Sequence, residues 1–554
     1  MQADVHRRED ETLKDGAEKM QDQAPVRKLP AADVKAALSR QNEIAFLDVR
    51  EHGQYGEGHP FFIVNCAYSV LEDRINAIVP NRAVPVVLMD DDDGVAMRAA
   101  KRLFDLGYRD VAIVERGVKG WTEAGFGLFK GVNLPSKAYG EFVEHDMGTP
   151  SISAEELHRM QSEGEELLIF DGRSPSEFTK MNIPGAQSVP NAELGLRLPA
   201  ILPDSTTPVV INCAGRTRSI IGAQTLLNLG LPNPVVALRN GSQGWQLAGL
   251  KLEYGTEPDP LSDLSDADEA RARAHAETFI TANELPTVDG ATLASWQADG
   301  TRTTYLFDVR SAEEYAAGHL SGSVHAPGGQ LVQATDHWTG VRNAHLVVSD
   351  PLLIRAATTC FWLRRMGHDA HVLAAGAEVK LVPAATEVTV PAVPAIDVAD
   401  LPGLCTDGAL VLDLSPGQTF RAGHIDGARW AIRPRLNALD IKADRSVILT
   451  AANPRIAAFA SLDLAEMGIT DIRLLPYDPD GWRAAGLTVT ATPDEPADED
   501  MIDYLFFVHN RHDGCLEAAR KYLEWETGLI EQMDEQEVGM FRRGPAAKMP
   551  LLWD

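Results

Sequence analysis

Cysteine is sparse in this sequence: five residues, Cys66, Cys213, Cys360, Cys405 and Cys515, are scattered over 554 positions. An odd, widely spaced set does not make the disulfide framework of a small secreted domain, and it fits a reducing compartment. Also missing is any apolar run of the roughly 18 residues that a membrane span needs. The opening, MQADVHRREDETLKDGAEKMQDQ, is charged and lacks the apolar stretch of a secretory signal. A cytoplasmic protein is expected. Positive charge is short as well, with 51 Lys and Arg against 80 Asp and Glu and a formal net charge of -29. Such a surface repels nucleic acid and anionic membrane alike, so neither is expected as a partner. A small anionic ligand needs a local positive site.

What is present is a soluble globular balance, 44% hydrophobic and 24% charged residues. At about 100 to 200 residues per domain the chain holds several cores. Residues 1–24 read as a polar extension. From Val26 a long repeat begins. Four apolar runs end in an acidic residue: IAFLDVR with Asp48, LLIFDGR with Asp171, YLFDVR with Asp308 and LVLDLS with Asp413. Each reads as a buried strand. A Gly-His pair follows three of them (His59, His319, His424), and Asn182 takes that place in the second.

A second apolar strand comes next in each segment, at a regular distance. Asp48 and Asp90, Asp171 and Cys213, and Asp308 and Asp350 all stand 42 positions apart, while Asp413 and Ala451 stand 38 apart. Each second strand runs into an Ala/Leu/Arg-rich helix closed by glycine, then a short strand and, in three segments, a Gly-Trp pair (Trp121, Trp245, Trp482). Strand, helix, strand with crossovers of this length predicts a parallel sheet flanked by helices on both faces, an α/β domain repeated in tandem. The expected units are 25–135, 147–256, 283–385 and 394–490. Lys130 to Ser151 reads as an irregular connection, and 257–282 as an acidic linker that is helical in its later half. Pro383 to Ala395 reads as a short extended linker. The tail, 498–554, has a helical pattern, is too short for its own core, and is expected to dock on a neighbour.

The four strand-to-helix loops occupy one place in the fold, yet they begin with Asp90, Cys213, Asp350 and Ala451. Only the second, Cys-Ala-Gly-Arg-Thr-Arg-Ser, offers a nucleophile. A thiol there, before a helix expected to open at Ser219, faces unpaired backbone N–H groups and the positive end of the helix dipole, which stabilise a thiolate. Arg216 and Arg218 add positive charge, and Gly215 lets the backbone curl so that its amides converge as an anion nest. The Asp90 to Asp93 run reads as a solvated acidic turn that repels anions.

Asp171, Arg173, the following Glu177-Phe178, the Cys213 loop and Gly241 to Trp245 together resemble a rhodanese domain. The resemblance covers four tandem units from about Val26 to Val489, strongest in the second and weakest in the fourth. It implies a sulfurtransferase in which Cys213 carries a persulfide, taking sulfur from thiosulfate or a persulfide donor and passing it to a thiol or to cyanide. Ala214, Gly215, Arg216, Thr217, Arg218 and Ser219 would form the binding loop, with Asp171, Arg173 and Trp245 structural beside it. No cofactor and no metal is implied. The loop also has the family's sulfur-transfer length, since phosphatase relatives place their arginine one residue later, where Ser219 stands. The alternative class is a non-catalytic scaffold that binds an anion or partner, or senses sulfur. His509, His512 and Cys515 have a metal-like spacing but no fourth ligand. Cys66, Cys360 and Cys405 lie outside any comparable basic loop and read as inert.

Overall fold

The computed structural model describes residues 26–374, 376, 388–509 and 515–549; the extension 1–24 and His512 lie outside them. The apolar runs become the middle strands of four sheets. In the second sheet the order is Ser151–Ile152, Val235–Leu238, Val209–Asn212, Leu168–Asp171, Ala186–Ser188, all parallel. The third repeats it with Thr287–Val288, Asp369–Leu373, His345–Ser349, Thr304–Asp308 and Val324–His325. The fourth keeps four of the strands. Strands with both faces covered are apolar up to their last residue, as Ile44–Asp48 and Val209–Asn212 are.

Register explains the repeat spacing. Asp48 lies opposite Met89, Asp171 opposite Asn212, Asp308 opposite Ser349 and Asp413 opposite Thr450. The next residues are Asp90, Cys213, Asp350 and Ala451, each at the carboxyl end of a central parallel strand, where open α/β sheets hold their ligands. In three units the aspartate is locked by the arginine two positions on. Asp171, for example, accepts from Arg173 Nε at 2.9 Å and Nη2 at 2.7 Å, while the same guanidinium caps Met181 O at 2.6 Å.

Two expectations need correction. The stretch after Lys130 is not irregular, because Leu134–Met147 is a 14-residue helix, buried along much of its length. It packs so closely on the helix Thr217–Asn228 that a Cβ on Gly140 would come within 3.0 Å of Thr217. Nor does each unit own its sheet. Val341–Arg342 of the third unit pairs antiparallel with Ile44–Asp48 of the first, covering what would be an open edge. The cores follow suit. Phe46, Ile211 and Val348, from three units, belong to one continuous apolar cluster with Leu529 and Phe541 of the tail.

The fourth unit has its own core around Leu412 and Leu449. It joins the first through charge: Arg433, fully buried, binds Glu72 at 2.7 and 2.9 Å and Asp463 at 2.8 Å. The tail docks, as its composition suggests. Its helix Leu516–Thr527 lays Trp525 where a Cβ on Gly131 would stand 2.7 Å from the ring.

Candidate active site

Cys213 directly follows the strand Val209–Asn212, and its Sγ lies 3.5 Å from Ser219 Oγ, which donates to Arg216 O at 2.8 Å. Only 2% of the residue is exposed, so any reagent must come through the cleft it lines. The segment Gly241 to Trp245 sets the loop. Ser242 N donates to Cys213 O at 2.8 Å and Gln243 N to Ala214 O at 3.1 Å. Gly241 is required at this contact: it has φ +52, and a Cβ there would fall 2.2 Å from Cys213 O. Trp245 is buried and donates to Lys251 O at 2.9 Å, anchoring the helix behind.

Several details of the loop differ from expectation. The helix opens at Thr217, not Ser219, with Arg216 as its N-cap residue. Gly215 is outside the left-handed region. Its missing Cβ matters for space, since one would stand 3.2 Å from Glu526 Oε2 and 3.5 Å from Gln243 Nε2. Neither arginine presents free charge. Arg216 turns to the helix Leu134–Met147, meeting Glu141 at 2.7 and 2.8 Å, Glu144, and Asn240 at 3.3 Å. Arg218 closes a two-pronged fork on Glu177, both contacts at 2.7 Å. Burial alone would raise the Glu177 carboxyl, but Arg218 and Arg173 hold it well below the ordinary range. A guanidinium withdrawn from water needs a carboxylate partner, and these two take theirs from the protein.

The backbone of the loop is left open. Among the described residues, no acceptor takes the N–H groups from Ala214 to Ser219. The sister loops show what such amides want. Asp350 accepts from Leu352 N at 3.1 Å and Arg355 N at 3.0 Å; Asp90 accepts from Asp92 N at 3.0 Å and Ala96 N at 2.9 Å. In both, a carboxylate of the chain occupies its own cradle, so Asp90 is a buried anion bound by the loop rather than part of a solvated turn. In the second unit the corresponding side chain is the Cys213 thiol, whose partner is the Ser219 hydroxyl.

The cleft above Cys213, with about 260 Å³ of free space, is walled by segments far apart in sequence. Asn133 and Lys137 come from the connecting helix, Gln330 to Trp338 from the third unit, and Tyr522 and Glu526 from the tail. Lys137 Nζ bonds Tyr522 OH and sits 5.0 Å from the Trp525 ring. Glu526 Oε1 accepts from Thr217 Oγ1 at 2.9 Å, and its Oε2 is buried without a hydrogen-bond partner. Sequence reading missed all of these. The other cysteines lie outside this cleft: burial pushes the thiols of Cys66 and Cys360 up to about 12, and Cys405 and Cys515 are exposed. His59, His319 and His424 stack on Tyr55, Tyr315 and Phe420 and bond nearby carbonyls. No described helix is long and apolar enough to cross a membrane.

The pattern that defines the rhodanese-like domain matches residues 30–124, 153–248 and 291–379. A thiosulfate sulfurtransferase from Pseudomonas aeruginosa, known from its crystal structure, is 40% identical, with a TM-score of 0.86 over 94% of this chain and 100% of that one. The 3-mercaptopyruvate sulfotransferase SseA of Escherichia coli aligns with 42% of this chain and 100% of its own, at 18% identity and a TM-score of 0.21. No curated protein matches the chain.

Proposed function

The chain belongs to the rhodanese-like domain family, and on that footing we propose that it is a sulfurtransferase carrying a sulfane sulfur on Cys213. The observation that supports this reading best is internal: at the same place in the fold, loop amides bind a carboxylate of the chain in two units, and in one unit a thiol takes the carboxylate's position. A persulfide anion on Cys213 meets the donors that Asp90 and Asp350 meet in their own loops.

In the first displacement the Cys213 thiolate attacks the outer sulfur of thiosulfate. A new S–S bond forms, the old one breaks, and its electron pair leaves on sulfite. The charge moves to the terminal sulfur of Cys213-S-S⁻, which the loop amides stabilise as an oxyanion hole stabilises developing charge. In the second, an acceptor thiolate attacks that terminal sulfur, forms the acceptor persulfide and returns the Cys213 thiolate; cyanide leaves as thiocyanate. Two displacements through one covalent intermediate give ping-pong kinetics. The unarmed units supply walls: the third and the tail close the cleft, and the fourth braces the first. Mass spectrometry tests the scheme. Folded protein treated with thiosulfate should gain about 32 Da at Cys213, one sulfur, lost again on addition of cyanide or a thiol. No adduct with any sulfane donor would favour the non-catalytic scaffold instead.

Glu526 tunes the donor. Its unpartnered Oε2 places negative charge beside Gly215, where a dianion must pass. Glu526→Gln keeps the Thr217 contact and removes the charge, so the KM for thiosulfate should fall by about tenfold, a modest Coulomb effect at short range. An unchanged KM in steady-state kinetics would remove Glu526 from donor selection.

A further inference from the structure

We propose that the chamber between the first and third units, separate from the Cys213 loop, binds a small organic carboxylate with an apolar body, held by Arg342. The chamber, with about 70 Å³ of free space, is lined by Phe61, Phe62, Leu134, Arg342, His368 and Met540 among others. Arg342 lies on the edge strand Val341–Arg342 and stacks its guanidinium 4.0 Å from the Phe62 ring centre.

The buried arginines show what Arg342, itself half-buried, lacks. Arg50 is paired with Asp48, Arg173 with Asp171, Arg216 with Glu141, Arg355 with Asp350 and Arg433 with Glu72. Arg342 has no carboxylate in ion-pair range among the described residues, and its Nε is buried with no hydrogen-bond partner. Burial, unopposed by any anion, pushes its guanidinium down to about 10. A charge partly withdrawn from water and left unpaired is costly, and an arriving anion relieves that cost.

The chamber's other polar groups are spoken for or neutral. His59 bonds Pro60 O at 2.8 Å and Gly131 O at 3.1 Å; Asn343 bonds Arg40 O at 3.0 Å and Asn42 O at 2.9 Å. Burial lowers the His368 imidazole to about 4. Asp336 is the one opposing carboxyl; burial raises it, and its charged form is favoured by His337 and Arg74, not by Arg342. The planar fork of a guanidinium matches the two oxygens of a carboxylate, and Phe61, Phe62, Leu134 and Met540 offer a dry surface to a flat apolar body. Nothing in the chamber offers sulfur chemistry, so the site stands whether or not Cys213 transfers sulfur.

Benzoate and its neutral isostere benzamide are the probes. In the full chain, benzoate should raise the melting temperature in a saturable way and benzamide should not, since only the first carries the charge. Arg342→Met should melt no lower than the parent without ligand, because it removes an unpaired, half-buried charge, and should bind benzoate at least tenfold more weakly by calorimetry. Equal effects of benzoate and benzamide on the parent, or no effect of either, would overturn the proposal without reference to any variant. Undiminished benzoate binding by folded Arg342→Met would do the same.

Discussion

Cys213→Ser should lose thiosulfate:cyanide sulfur transfer by on the order of 10⁴-fold or more, the scale seen when a covalent nucleophile is removed. The substitution is close to isosteric and the residue is 2% exposed, with Ser219 Oγ as its side-chain partner, so the fold should survive it. What disappears is the sulfur that accepts the donor's sulfane atom. An alkoxide at this position has neither the nucleophilicity toward sulfur nor the leaving ability that the second displacement requires. Thiocyanate release, followed with both variants at matched concentration, provides the measurement. Survival of more than about one part in a hundred of the activity would move the chemistry to another thiol, and the exposed Cys405 and Cys515 would be next in line.

The scaffold of this site was readable from sequence because it rests on short-range pattern. A fully apolar strand ending in Asp, a fixed distance to the next strand end, and a glycine-closed helix are each local, and their repetition made the parallel α/β fold plain. Register then turned the 42-residue spacing into geometry, with Asp171 opposite Asn212 and Cys213 next in line. The cleft was not readable, for a physical reason. Lys137, Trp338, Tyr522 and Glu526 meet over one thiol although hundreds of positions separate them, and no periodicity marks a residue that faces another unit. Arg216 and Arg218 misled in the same way. Their charge was visible in sequence, but the carboxylates that consume it, Glu141 and Glu177, lie 75 and 41 positions away. The sharing of the first sheet with Val341–Arg342 was hidden because a two-residue edge strand carries no signal of its own.

The second large effect falls on a residue that was a site arginine only by position. Arg355 follows Asp350 by five residues, as Arg218 follows Cys213, and it keeps the matching partner, Glu314, at 3.0 Å. In the third unit the cradle already holds Asp350, so the guanidinium binds that carboxylate at 2.9 Å and reaches across the interface to Glu193 of the second unit, also at 2.9 Å. The anion-site arginine has become a latch between units. Arg355→Met should therefore cost about 3 to 5 kcal/mol, because it leaves buried Asp350 without a cation and Glu193 of the second unit with Arg197 alone. Arg355→Lys, which keeps charge but loses the fork, should fall between the two. Denaturant titration followed by tryptophan emission can read the loss, since Trp362 bridges the same interface through its 2.8 Å bond to Thr225. The damage should also reach the chemistry. The third unit contributes Gln330, Gln333, His337 and Trp338 to the cleft over Cys213, so loosening the latch should lower kcat/KM for thiosulfate in protein that remains folded. A variant that is as stable as the parent would show that Asp350, Glu193 and Glu314 are satisfied without Arg355, and the third unit would then have to be held by its apolar core alone.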